Sequence, residues 1–512
     1  MINALNREIP DEVLALGKNG VFQGAFAYRG RGEKTAIKNR TVYPGEKKIV
    51  SSLQDAIRLS GLKSGMTISF HHHLRNGDYV VRMVLEEIDK LGIRDLTIAA
   101  SALFDCHSFL VEYIYKGVIK NIQANYISGR LAEEISFGLM DEPVIMRTHG
   151  GRDRAIESGE LKIEVAFLAA PTADIYGNLN GLEGPSAFGS FGYAISDARY
   201  ANCVVAITDH LLPFPLSYVA IDQTLVDYVV QVDKIGDTKG IVSGTTRISQ
   251  NPLDLKIAKL TAAAIENSGY FHDGFSFQTG AGGVSLATAM YVHERMKKLG
   301  IKGSFGLGGI TESMVNMLND GCFDVLLDAQ CFDLTAIESL RTNIRHREIS
   351  CYTYSNPHTK GAVVNLLDVA VLGATEIDLD FNVNVTTNSE GIIVGGSGGH
   401  ADVAAGCNMA IIVANLCRGR FPTVVEKVIT ANTPGETVDV LVTEWGIAVN
   451  KRRPELAERF KKAGLPVKDI EHLYHIARKL CGQPEPIEQP DKVIAVIEYR
   501  DGTLIDVVRC IR

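Results

Sequence analysis

Residues 53–93 read LQDAIRLSGLKSGMTISFHHHLRNGDYVVRMVLEEIDKLGI, and residues 255–301 read LKIAKLTAAAIENSGYFHDGFSFQTGAGGVSLATAMYVHERMKKLGI. Both follow one plan: a helical pattern, a short apolar run, a polar loop, a second helical pattern and an L-G-I exit. Phe70 falls on Phe277 and Ile93 on Ile301, so a single inserted residue reconciles the two units. Any two βα units resemble each other in part, so the test is whether the register continues. It does. LTIAASALF, Leu96 to Phe104, falls on GSFGLGGITE, Gly303 to Glu312, and YKGVIKNI is answered by NDGCFDVLL. Further on, EVAFLAAPTADIYGNLNG echoes in ATEIDLDFNVNVTTNSEG, which sets Asp174 and Asn178 against Asp380 and Asn384.

Runs such as MTISF, LTIAAS, EVAFLAA and NCVVAITD are rich in Ile, Val and Ala, and they alternate with helical patterns. That order requires parallel strands buried on both faces by crossover helices. The sequence predicts an α/β chain of two tandem homologous halves with mainly parallel sheets, residues 1–245 and 246–512. The boundary falls in VSGTTRISQNP, where Gly244, Asn251 and Pro252 punctuate the chain. RRPELAERFKKAGLPVKDIEHLYHIARKLCG reads as amphipathic packing helices with Pro454 in a first turn. VIAVIEYRDGTLIDVVRCI alternates about Asp501 and Gly502 and reads as a hairpin closing the second half.

A chain of 512 residues exceeds one compact core. Its 60 acidic and 52 basic residues give a net charge of -8, which argues against a nucleic-acid partner. Nine cysteines without a C-x-x-C pair form neither a disulfide framework nor a zinc set, and they suit a reducing compartment. The start, MINALNREIPDEVLALGKNG, has no secretory pattern and no run stays apolar for eighteen residues. A cytoplasmic protein without a membrane segment is expected.

Ligands of α/β folds sit at the carboxyl ends of strands or between halves, and both loops of the repeat lie at such ends. In QTGAGGVSLATAM, Gln278 begins a loop whose Gly280, Gly282 and Gly283 free the backbone to approach a ligand. The helix that follows aims its N–H groups and dipole at an anion. The run matches neither a Walker loop nor G-x-G-x-x-G, and a plain tight turn is the other reading. In the first loop, strand alternation points His71 and His73 one way and His72 the other. Without further ligands at metal spacing, no metal site is expected. With Arg75, Asn76 and a helix start capped by Asp78, the loop suits a carboxylate, His71 and His73 facing it and His72 facing the packed side.

EGIIVGGSGGHADVAAGC places Gly395, Gly396, Gly398 and Gly399 around Ser397, ahead of His400. Such a loop can present successive N–H groups to a developing oxyanion, and it is not a G-x-S-x-G elbow. Glu312 stands at a strand end where the first half has Phe104. A carboxylate replacing an apolar residue there suggests a task, and a first-turn acid for SMVNMLNDG is the alternative.

The set SFHHHLRNGDYVV, GGRDRAIESGEL, APTADIYGNLNG, QTGAGG, GGSGGHADVAAG and DVLVTEWGIA resembles, over nearly the full length, the alpha subunits of citrate lyases. TEWGIA and GGSGG are more distantly similar to acetyl-CoA hydrolases and acetate or 4-hydroxybutyrate CoA-transferases, whose tandem halves share a ribose-isomerase-like fold. The resemblance implies a CoA-transferase that exchanges acetyl for citrate on a carrier thiol and releases acetate. The thiol belongs to a phosphoribosyl-dephospho-CoA arm on an acyl carrier (gamma) subunit, with acetyl-CoA as its analogue. This chain would then bind no cofactor of its own, and a beta subunit of the same oligomeric complex would cleave the citryl carrier.

Glu312, Gly395 and Gly396 are then the candidate catalytic residues. His71, His73, Arg75, Asn76, Gln278, Gly280, Gly282, Gly283, Ser397, Gly398, Gly399 and His400 are candidates for contact with substrate or arm. A carboxylate nucleophile is ionised at neutral pH and a thiolate leaves readily, so no Ser-His-Asp set is required. The resemblance implies direct transfer through a citric-acetic anhydride. Glu312 also matches the nucleophilic glutamate of related transferases, so a glutamyl-CoA route or an acyl-CoA hydrolase is the alternative enzyme. A non-catalytic scaffold of the lyase complex is the alternative from another class. The choice between citrate and citramalate is left to pocket geometry.

Overall fold

The structure, a computed structural model, describes residues 1–511 apart from 29, 31, 38, 39, 243–247, 281, 483–486, 488 and 489. Gly244 of the expected boundary therefore lies outside the described residues. Eight strands of the first large sheet come first: β1 (Ile49–Val50), β2 (Thr67–Phe70), β3 (Leu96–Ala100), β4 (Ile119–Ala124), β5 (Val144–Met146), β6 (Val165–Ala170), β7 (Cys203–Thr208) and β8 (Tyr228–Gln231). A second series follows: β9 (Phe277–Thr279), β10 (Gly303–Ile310), β11 (Phe323–Cys331), β12 (His346–Glu348), β13 (Val369–Gly373), β14 (Met409–Val413), β15 (Val440–Thr443) and β16 (Gly446–Val449). A terminal hairpin is formed by β17 (Val493–Glu498) and β18 (Leu504–Arg509).

Beside three small sheets, one large sheet runs β1-β8-β7-β6-β2-β3-β4-β5-β17-β18 and a second large sheet runs β16-β15-β14-β13-β9-β10-β11-β12. Seven strands match one for one: β8-β7-β6-β2-β3-β4-β5 has the order of β15-β14-β13-β9-β10-β11-β12. The duplication read from residues 53–93 and 255–301 is thus a duplication of topology. Within these two sheets pairing is parallel except at β15–β16 and at the terminal hairpin. Every residue of β6, β7 and β14 is buried, as strands covered on both faces must be.

Local signals set the elements. The Asn251 side chain accepts from the Leu253 N–H at 2.9 Å, and Pro252 opens helix Pro252–Glu266. Both L-G-I exits end their helices with a left-handed glycine, Gly92 at φ 71° and Gly300 at φ 70°.

Two expectations need correction. The terminal hairpin, assigned above to the second half, joins the first sheet, where β17 pairs in parallel with β5. Its own alternation could not say which sheet had a free edge. The echo of Asp174 and Asn178 is shifted by two residues. Asp174 Oδ1 accepts from the Tyr176 and Asn178 N–H groups, and the same turn is made by Asp378 with Asp380 and Asn382. A D-x-D-x-N-x-N run offers two equal alignments, and only the turn's hydrogen bonds choose between them. Among the described residues no helix is long and apolar enough to cross a membrane.

Candidate active site

A cleft of about 570 Å³ lies between the halves at the carboxyl ends of β2, β9, β10, β11 and β13. From the first half, His72, Arg75, Phe104, Tyr126, His149 and Tyr193 line it. The alternation of the histidines is correct, but the side is reversed: His72 faces the cleft while His71 and His73 are packed behind it. Alternation separates two faces of a strand, and in a sheet buried on both faces it cannot say which one meets a ligand.

His71 and His73 share a hydrogen bond between their Nδ1 atoms, and His73 stacks on Phe188 at 5.0 Å. His72 lies against Tyr193 at 4.8 Å and His149 at 5.7 Å, rings that also touch each other at 4.4 Å. Burial pushes the His71 pKa down to about 4 and that of His149 to about 3, and it holds His72 and His73 well below the ordinary value. All four rings are neutral at pH 7.

Positive charge on this wall comes from Arg75, whose guanidinium lies 5.3 Å over the Phe104 ring and 5.0 Å over Phe332. Arg75 has φ 51°, a left-handed backbone uncommon outside glycine and found at ligand sites more than elsewhere. Asn76 is exposed and does not line the cleft, so its expected contact with ligand is not supported by its placement. The Asp78 carboxylate does serve the helix start, accepting from the Val81 N–H at 3.0 Å.

From the second half come Gln278, Thr279, Gly280 and Gly282, with Gly283 the first residue of helix Gly283–Leu299. A Cβ on Gly280 would make only ordinary contacts and one on Gly282 would meet nothing within 4 Å. Packing therefore does not require these glycines, and the space beside them is left to a ligand. Gln278 Nε2 donates to the Tyr354 hydroxyl at 2.7 Å, while its buried Oε1 has no partner among the described residues.

The GGSGG loop closes the cleft. Gly396, Ser397, Gly398, Gly399 and His400 line it, and the Ser397 hydroxyl is buried without a partner among the described residues. Gly395 does not line it: its N–H donates to the Thr386 carbonyl and its own carbonyl accepts from Ile127. Its expected oxyanion role is corrected accordingly, because the N–H is already used. The N–H groups of Gly396, Ser397 and Gly399 have no partner among the described residues. A Cβ on Gly396 would overlap the Asn125 carbonyl of the first half. His400 borders the cleft but commits both ring nitrogens, to Thr433 Oγ1 at 2.7 Å and the Gly373 carbonyl at 2.9 Å, which makes it a clamp and not a ligand contact.

The loop is tied to the first half through helix His149–Glu157. The His149 N–H donates to the Gly398 carbonyl at 2.7 Å, and buried Asp402 accepts from Thr148 Oγ1 at 2.9 Å and the Gly150 N–H at 2.8 Å. This helix is buried despite its charges because Arg152 is held by Asp197 and Arg154 by Glu160 and Glu498. Asp197 and Glu498 are distant in sequence, which hides the burial of this helix and with it the place of His149; Tyr126, Tyr193, Gln330 and Tyr354, which sequence reasoning also missed, reach the cleft from separate elements. The charged, glycine-led run THGGRDRAIE was the available signal.

Glu312 is exposed and is not among the lining residues, although Gly309 and Phe332 beside it are. It is the first residue of helix Glu312–Asn319, and its N–H donates to Asp333 Oδ2 at 2.6 Å. Its position is that of a first-turn acid at the rim, which corrects the expectation that it lines the site. Among the described residues, no group of three or more His, Cys, Asp and Glu could hold a metal ion.

Residues 46–511 match the family described as citrate lyase, alpha subunit. The citrate lyase alpha chain of Escherichia coli (strain K12) is 51% identical over 494 residues, covering 95% of this chain and 97% of that one. A Streptococcus mutans crystal structure, described as the alpha subunit of citrate lyase in complex with citrate, has a TM-score of 0.97 and 47% identity over 100% of both chains. A 4-hydroxybutyrate CoA-transferase from Porphyromonas gingivalis, 16% identical with a TM-score of 0.54 over 84% of this chain and 97% of its own, shares the fold. The chain therefore belongs to the citrate lyase alpha-subunit family, built on the CoA-transferase fold.

Proposed function

We propose that this chain is the transferase of a citrate lyase complex, exchanging acetyl for citrate on a carrier thiol and releasing acetate. The observation that carries the reading is the cleft: one arginine, a wall of neutral imidazoles and a row of unused loop N–H groups converge between the two halves of a chain from this family. The thiol is that of a phosphoribosyl-dephospho-CoA arm on the acyl carrier (gamma) subunit, and a beta subunit cleaves the citryl carrier afterwards. Nine free cysteines agree with a cytoplasmic location.

In this reading, a citrate carboxylate held by Arg75 attacks the acetyl thioester carbonyl. The oxyanion that develops is met by N–H groups of Gly396, Ser397 and Gly399. Thiolate leaves, a citric-acetic anhydride remains, and the thiolate returns to the citryl carbonyl as acetate departs. Neutral histidines serve this chemistry, because a cationic ring would bind the nucleophilic lone pair and weaken it. The N-terminus of helix Gly283–Leu299 offers a place for a further carboxylate or a phosphate. A glutamyl thioester on exposed Glu312 would be open to water, which favours the direct route.

The test is thioester exchange by the purified chain with acetyl-CoA and a panel of carboxylates including citrate, citramalate and malate. Acetate and citryl-CoA are expected to form in equal amounts with citrate. Exchange with none of the panel would leave the scaffold reading.

A further inference from the structure

The TEWGIA motif takes no part in the cleft. It forms the turn between β15 and β16, where Thr443 pairs with Gly446, and it sets the chain's single tryptophan, Trp445, on the surface at 45% exposure. Beside the indole, Leu260 and Ala263 of helix Pro252–Glu266 and Pro466 border a groove of about 370 Å³. Exposed indoles in such settings are characteristic anchors of protein interfaces.

The rim of this groove is cationic, in a chain whose net charge is -8. Lys256, Lys259 and Arg295 line it, and the Lys468 stem lies against Gly446. Arg295 is paired with Glu266, whereas Lys256, Lys259 and Lys468 have no ion-pair partner among the described residues. Glu444, the carboxylate on the rim, is engaged with the Leu416 N–H at 2.9 Å.

The position is informative as well. Trp445 follows the carboxyl end of β15, and the cleft residue Gly373 ends β13, with β14 between them. The indole end of the groove thus lies at the cleft's edge of the sheet, two strand steps or roughly 10 Å from Gly373, and the groove runs from it along helix Pro252–Glu266 toward Arg295.

We infer that this groove seats the acyl-carrier partner, through an acidic surface that offers an apolar side chain between carboxylates, so that the tethered arm enters the neighbouring cleft. The inference rests on the transferase reading above. Lys256, Lys259 and Lys468 steer and orient the acidic partner, and Trp445 anchors it.

The experiment uses the full chain and the purified apo acyl-carrier subunit of a citrate lyase. Trp445 is the sole indole of the chain, so its emission reports occupancy of the groove. A saturable emission change is expected, and the doubly substituted Lys256→Glu, Lys259→Glu chain should weaken it by about tenfold or more. In turnover, that chain should show an acetyl-carrier KM raised by about tenfold, while kcat and KM with free acetyl-CoA stay within about twofold of the parent. Emission unmoved by excess carrier, or moved by the beta subunit or free CoA in its place, would overturn the inference. Equal loss with carrier and acetyl-CoA would overturn it too. Failure of the parent chain to exchange acetyl-CoA would instead remove the transferase reading, and the titration would still decide whether the groove binds carrier.

Discussion

The loop after β2 and the loop after β9 hold the same place in a duplicated fold and treat a ligand in opposite ways. After β9, Gly280 and Gly282 leave backbone and a helix start open to the cleft. After β2, three histidines fill the corresponding space, one facing the cleft and two packed behind it as a hydrogen-bonded pair. One loop offers backbone donors and a helix dipole; the other offers a rigid, uncharged aromatic wall with a single guanidinium. Duplication supplied two equivalent strand ends, and divergence gave one a glycine backbone with a helix start and the other neutral rings beside one guanidinium. The GGSGG loop ties the second half to the first, since Gly396 packs on Asn125 and Gly398 on His149, which lies beside His72.

Changes at glycines should separate packing from ligand access most strongly. Gly396→Val is expected to lower exchange by about 100-fold and to destabilise the chain by about 1–3 kcal/mol, because its side chain must displace the Asn125 carbonyl. Gly282→Ala has space around it and should leave the thermal midpoint unchanged while raising KM. Equal destabilisation by both would erase the distinction between a junction glycine and an access glycine.

The neutral wall is tested by pH. The His71 pKa is lowered from 6.5 to about 4 by burial, so the unfolded chain takes up the proton first as pH falls. The stability this ring contributes is present above pH 6.5 and is lost as pH falls toward 4. Asp402, raised to about 6 by burial, acts in the opposite sense: its contribution is complete below the ordinary carboxylate range and is lost as pH rises through 6. Comparing His71→Phe with the parent isolates the ring. The difference in urea-unfolding free energy between pH 7.5 and 5.0 should narrow by about 2 kcal/mol. An unchanged difference would mean that His71 is not held neutral.

A smaller effect is expected at Ser101. Its oxygen accepts the His72 backbone N–H at 3.1 Å and lies 2.6 Å from His72 Nδ1, so this hydroxyl governs which ring nitrogen carries the proton. Ser101→Ala should lower kcat by about five- to tenfold with little change in citrate KM. Nitrogen-15 spectra of labelled histidine should show a loss of the single His72 tautomer, which a purely structural role would leave intact.

Much of the architecture was legible because burial on both faces of parallel strands writes a long apolar signature, and duplication repeats it. The L-G-I exits and Asn251-Pro252 announced their own conformations. What stayed hidden depends on contacts between distant residues. The edge that accepts β17 is created by β5, over three hundred residues earlier by numbering. The buried charges of helix His149–Glu157 are compensated by Asp197 and Glu498. Gly395 and Gly396 look alike in sequence, yet one N–H is taken by Thr386 and the other has no partner among the described residues. Glu312 could be read at a strand end, but its exposure could not.

The most direct test of transfer inside this cleft follows oxygen. In a single turnover of acetyl-CoA with citrate labelled by oxygen-18 in its carboxylates, direct passage through the anhydride leaves the bridging oxygen on the departing acyl group. Acetate carrying one oxygen-18 atom is expected. Unlabelled acetate would contradict direct transfer and assign the first acceptor to a carboxylate of the protein, with Glu312 the first residue to examine.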